Sequence, residues 1–158
     1  MKSNIIILLI SILIVLSVHL LEFLGYAPCD LCIKQRWAWY LIIFICLISS
    51  VFYNKLYPYN IILITILFLG NSIFSSWHAG IEWGFWDGPE TCSAALQSLN
   101  GHDNFLDEIK SKNNLIPCNE ASIRVFGISL AGYNSFISLI MFIYSISILR
   151  KELWIKKE

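Results

Sequence analysis

The sequence predicts an all-α membrane protein, a four-transmembrane-helix bundle with two polar loops on one side, and three observations carry that expectation. Of the 158 residues 57% are hydrophobic and only 14% charged, against about 25% charged in ordinary soluble domains. The apolar residues gather in four long runs, and most of the polar ones gather in two segments between them. The formal net charge is zero, so no global attraction to nucleic acid is on offer. With 10 Phe, 7 Tyr and 6 Trp, the chain is also far from the composition of a disordered one.

The runs cover residues 5–24, 37–53, 61–77 and 125–149, roughly 17 to 25 residues each, enough to cross about 30 Å of hydrocarbon. Buried helices of a soluble bundle would show polar faces at helical spacing, and stretches such as 5–10 or 61–69 have almost none. The first run follows Lys2 as a signal peptide would, but it is too long for a typical apolar core of such a peptide and lacks a small-residue cleavage site. It is read as a retained helix, and residues 1–158 as one membrane domain.

Basic residues set the orientation. Lys2, Lys55, Arg150, Lys151, Lys156 and Lys157 crowd the short segments on one side, whereas Lys34, Arg36, Lys110, Lys112 and Arg124 are spread over longer ones on the other. The positive-inside rule then makes both termini cytoplasmic. Two segments face outward, a short one at 25–36 and a long one at 78–124. Within the second, Asp103 can cap a short helix over 103–112 with Phe105, Leu106 and Ile109 on one face, a pattern suited either to the bilayer surface or to packing on protein.

Cys29, Cys32, Cys92 and Cys118 fall in the outward segments, and Cys46 falls within the second run. That partition follows the redox compartment, and Cys46 reads as a small hydrophobe. Cys29-Asp30-Leu31-Cys32 is a CxxC, which can be a redox pair, half a zinc site or a staple. Zinc needs further ligands, and no second close-spaced pair accompanies it. As a staple it is weak: closing so short a loop stabilises by about 2 kcal/mol, against about 3.5 for a Cys92–Cys118 bridge. The short pair is therefore the reactive one. Cys32 falls near the start of the second helix, with Asp30 as a candidate cap, and Arg36 follows one turn later on the same face. A helix N-terminus and a nearby cation both favour the nucleophilic thiolate. Two outward pairs, one at the lip of an apolar bundle, suggest electrons passing from aqueous thiols to an apolar acceptor in the membrane, and a quinone meets that description.

Four motifs carry a more specific resemblance: Cys29-Asp-Leu-Cys-Ile-Lys-Gln-Arg36; His78-Ala-Gly-Ile-Glu-Trp-Gly-Phe-Trp86 leading to Gly88-Pro-Glu-Thr-Cys92; Ile116-Pro-Cys-Asn-Glu-Ala121; and Phe126-Gly-Ile-Ser-Leu-Ala-Gly-Tyr-Asn134. Together they make the chain similar to the DsbB family, the disulfide-bond formation proteins of the bacterial inner membrane, over essentially its whole length. The resemblance implies that the loops are periplasmic, that the partner is a periplasmic DsbA-like thiol oxidase, and that electrons leave to membrane quinone, ubiquinone before menaquinone, with no metal. It implies that Cys92 forms the mixed disulfide with the partner, that Cys118 exchanges with Cys29, and that Cys32 contacts quinone. Arg36 matches the arginine that supports quinone use, and His78 a histidine that lines the quinone site. Tyr133 stands where some relatives carry Trp, and Lys34-Gln35 also departs from others. Two rivals remain: a quinone-linked reductase resembling vitamin K epoxide reductase, in which the CxxC lies late in the chain, and a structural membrane protein with two inert bridges.

Overall fold

The computed structural model describes residues 2–51, 53–89 and 118–155. Cys92 and the expected helix over 103–112 lie outside the described residues. Four long helices, α1 (Lys2–Phe23), α2 (Asp30–Val51), α3 (Tyr53–Glu82) and α4 (Leu130–Ile155), account for about four-fifths of the described chain. Each holds a stretch long and apolar enough to cross a membrane: Ser3–Phe23, Asp30–Ser50, Tyr59–Glu82 and Leu130–Lys151. A two-stranded antiparallel hairpin, β1 (Arg124–Val125) and β2 (Ile128–Ser129), precedes α4.

The bundle follows from the absence of polar faces. Leu13, Leu16, Phe44, Ile66, Ile73, Phe136 and Ile143 are more than half exposed, which is tolerable only where lipid replaces water. Inside, α3 packs along α4, and α2 packs along both α1 and α3, around a core of Ile7, Trp39, Ile42, Cys46, Ile61, Ile64, Phe68, Met141 and Ile148. Two buried hydroxyls are satisfied locally: Ser11 donates to the Ile7 carbonyl at 2.8 Å and Ser145 to that of Met141 at 2.8 Å, as serines in apolar helices commonly do. At the end away from the CxxC, Asn4 Nδ2 donates to the Cys46 carbonyl and to Ser50 Oγ, both at 3.0 Å, tying α1 to α2.

The helix ends nearest the CxxC are closed by recognisable devices. In α1, Tyr26 N–H returns to the Leu21 carbonyl and Gly25 N–H to that of Glu22; in α3, Phe85 and Gly84 do the same to Gly80 and Ile81. Gly25 at φ 97° and Gly84 at φ 74° supply the left-handed residue that this termination requires. Two ends differ from the sequence expectation. The apolar run beginning at Val125 opens as the hairpin, because Phe126 and Gly127 both adopt positive φ, 50° and 83°, the signature of a tight turn matched to strand twist. Ser129 then caps α4, its Oγ accepting Gly132 N–H at 3.2 Å. At the start of α2 the cap is Cys29, not Asp30: Cys29 Sγ accepts Cys32 N–H at 3.1 Å, while Asp30 in the first turn pairs with Lys34 at 2.7 Å.

Candidate active site

The capping role of Cys29 fixes the CxxC geometry. One turn of α2 brings Cys32 back over Cys29, with the sulfurs 2.6 Å apart and Cys29 donating, a short movement from the 2.03–2.05 Å of a bond. Cys29 is 2% exposed, and Cys32 is half-buried. The hydrogen bond to Cys32, followed by burial, pushes the Cys29 thiol well above the ordinary cysteine range.

The two sulfurs share one neighbourhood, since Cys32 packs against the cluster that buries Cys29, but they differ in exposure to the cavity. Cys29 packs with Leu31, Ile81 and Cys118 in a buried cluster, and Cys118 is itself disulfide-bonded. Behind Cys29, His78 is fully buried; its Nε2 lies 3.5 Å from Cys29 Sγ, and its Nδ1 lies 2.8 Å from Gln35 Nε2. Glu82 approaches the same Nε2 at 3.9 Å, and its Oε2 is buried with no hydrogen-bond partner among the described residues.

Cys32 instead lines a cavity of about 280 Å³, near the lower limit of small-molecule sites. Its walls come from α1, α2 and α4 and from Pro28: Leu13, Ile14, Val18, Leu21 and Ile137 are apolar, and Gln35, Arg36, Trp39 and Asn134 add polar groups. Cys32 and Arg36 thus share this cavity, as the one-turn spacing predicts, and Arg36 Nη1 is held by Glu22 Oε2 of α1 at 2.6 Å. His78 is not among its lining residues; it sits on the Cys29 side. The sulfurs of Cys29 and Cys32 and a ring nitrogen of His78 all lie within 4.8 Å of one another, so this trio is the place where a soft metal ion could be held. Cys46 is a free thiol in the bundle core.

A CxxC with one sulfur against a further disulfide-bonded cysteine and the other against an apolar intramembrane cavity is a redox arrangement, and comparison with known families agrees. The family model described as "Disulfide bond formation protein DsbB" matches residues 2–148. The chain belongs to the DsbB family. It is 26% identical over 143 residues to a protein of Rickettsia prowazekii (strain Madrid E) described as uncharacterized, covering 89% of this chain and 83% of that one. No solved structure matches. As a DsbB-family member it is a multi-pass inner-membrane oxidoreductase of disulfide bond formation.

Several residues of this DsbB-family site were not singled out from sequence as functional: Glu22, Trp39, Glu82, and the polar side chains of Gln35 and Asn134. A signal was present for Asn134, a polar residue inside the apolar run 125–149 and costly there unless it faces partners; Gln35 falls just before the run 37–53, and only the structure places it within a span. Their partners, however, lie up to 99 positions away.

Proposed function

We propose that the protein is a thiol:quinone oxidoreductase that reoxidises a periplasmic DsbA-like thiol oxidase and passes the electrons to membrane quinone. The observation that carries this reading is the place of the CxxC: both sulfurs belong to or pack against the cluster that holds Cys118, and Cys32, not Cys29, also lines the cavity. In this reading the Cys92–Cys118 disulfide takes two electrons from the partner dithiol through a mixed disulfide at Cys92. The resulting dithiol reduces the Cys29–Cys32 disulfide by a second exchange, in which Cys118 attacks Cys29. Family membership supports the partner class, because a strongly oxidising dithiol oxidase cannot be regenerated by ordinary thiol buffers and needs a more positive acceptor.

The cavity residues fit a quinone. Leu13, Ile14, Val18, Leu21 and Ile137 match a flat apolar ring, Arg36 and Gln35 offer donors to carbonyl oxygens, and Cys32 presents its sulfur from the wall. A quinone held there, ubiquinone before menaquinone, supplies a two-electron, two-proton sink. Arg36 is oriented by Glu22, a fixed cation where negative charge develops. His78 acts on the Cys29 side rather than lining this cavity. Both termini are cytoplasmic and the loops periplasmic, by the distribution of basic residues.

The test is anaerobic turnover of the purified full chain with a reduced DsbA-type protein and ubiquinone or menaquinone. Quinone reduction that is abolished by Cys29→Ser and by Cys118→Ser is the expected result; no quinone reduction by the wild type overturns the reading. In a Cys118→Ser variant Cys92 should accumulate a mixed disulfide with one periplasmic protein, and the absence of any adduct would favour inert bridges.

A further inference from the structure

A hydrogen-bonded chain of buried and half-buried side chains runs from Trp39 to Cys29, and its chemistry determines every donor along it. Trp39 Nε1 is 2.9 Å from Asn134 Oδ1. The other amide atom of Asn134, Nδ2, is 3.0 Å from Gln35 Oε1 and 2.7 Å from Ser75 Oγ. Gln35 Nε2 is 2.8 Å from His78 Nδ1, and His78 Nε2 is 3.5 Å from Cys29 Sγ. An indole N–H can only donate, so the Asn134 atom facing it must be the oxygen. Asn71 Nδ2 adds a second, longer contact to the same oxygen at 3.4 Å, leaving Asn134 with all four of its hydrogen-bonding positions occupied. Its nitrogen therefore faces Gln35, which must present its oxygen there and its own nitrogen to His78. Nδ1 of His78 is then an acceptor, and the ring proton resides on Nε2.

We infer that Trp39, Asn134 and Gln35 are positioning residues that hold His78 in its Nε2–H tautomer, so that the imidazole donates a hydrogen bond to Cys29 Sγ whenever that sulfur is a thiolate. The inference rests on the proposed exchange between the two cysteine pairs. There, Cys118 thiolate attacks Cys29, forming the Cys118–Cys29 bond, breaking Cys29–Cys32 and releasing Cys32 thiolate. Cys92 thiolate next attacks Cys118, closing Cys92–Cys118 and expelling Cys29 as a thiolate. Two electrons thus reach the CxxC, and in the second step the leaving group is the sulfur that burial disfavours as an anion. Two N–H groups are aimed at it, that of Cys32 at 3.1 Å and that of His78, and donors to a leaving thiolate speed its departure. The same tautomer argues against a resident metal on this trio, because a ligating Nε2 must be unprotonated.

The test is two-bond 1H–15N correlation spectroscopy of the 15N-histidine-labelled full chain in nanodiscs, with the His78 signals assigned by their loss in His78→Gln. The wild type should show the Nε2–H tautomer, Trp39→Phe and Gln35→Leu a mixture of the two, and Asn134→Asp, held above the pH at which its carboxyl ionises so that it only accepts, the reversed Nδ1–H form. In quinone-free protein, acid-quenched exchange between the two cysteine pairs should slow in Gln35→Leu and Trp39→Phe in proportion to the Nε2–H population lost, and roughly tenfold in Asn134→Asp, the scale of one lost bond to a charged sulfur. A wild-type Nδ1–H tautomer, or an unchanged tautomer in both Trp39→Phe and Gln35→Leu, overturns the chain. A changed tautomer with an unchanged exchange rate overturns its role at Cys29. Neither readout uses quinone, so failure of the thiol:quinone reading is scored separately by the turnover assay.

Discussion

At the scale of single residues, the chemistry divides between the two sulfurs of one CxxC. Cys29 is buried and Cys32 lines the cavity, so in the reduced chain the accessible sulfur is that of Cys32. Iodoacetamide at pH 7 should therefore modify Cys32 well ahead of Cys29, read by peptide mass spectrometry; equal labelling would contradict the assignment. The raised Cys29 thiol has a stability consequence. The folded chain keeps a proton that the unfolded thiol releases above about pH 8.5, so folded-state stability falls as pH rises past that value. The melting temperature of the dithiol form should decline above pH 8.5 more steeply than that of the disulfide form, which does not titrate there. Arg36 contributes by position: Arg36→Ala should raise the apparent KM for quinone by roughly tenfold or more. Glu22→Gln should cost only a few-fold, since the pair is partly exposed.

At the scale of elements, the site depends on how helices begin. Ser129 starts α4 by accepting Gly132 N–H, and Ser129→Ala should cost about 1 kcal/mol of stability, measured as a lower melting temperature with the redox centre intact. The CxxC and the spacing from Cys32 to Arg36 were legible in sequence because both are local properties of one helix start. That Cys29 rather than Asp30 would cap α2 was not, because both side chains can accept a first-turn N–H and only the direction in which the chain enters the helix selects between them. The hairpin before α4 was missed for a related reason: Val125, Phe126 and Ile128 are as apolar as the helix that follows, and hydropathy does not distinguish a two-residue turn from a first helical turn.

At the scale of the whole molecule, the bundle separates a polar end carrying the chemistry from an apolar body. If the loops are periplasmic, a cysteine introduced at Phe126, which is 96% exposed at the hairpin tip, should react with a membrane-impermeant maleimide in intact spheroplasts, whereas a cysteine at position 2 should react only after lysis. The opposite labelling would reverse the topology. The sequence alone determined the membrane class, four spans and the CxxC, because insertion depends on transfer free energy summed along contiguous residues and a helical turn spans four. Tertiary structure decided the rest: Cys29 beside Cys118, Cys32 in a cavity, Glu22 on Arg36, and a Trp39–Asn134–Gln35–His78 chain drawn from three helices. Those depend on how far each helix is rotated about its own axis, and in helices with almost no polar face only packing against the neighbours sets that angle.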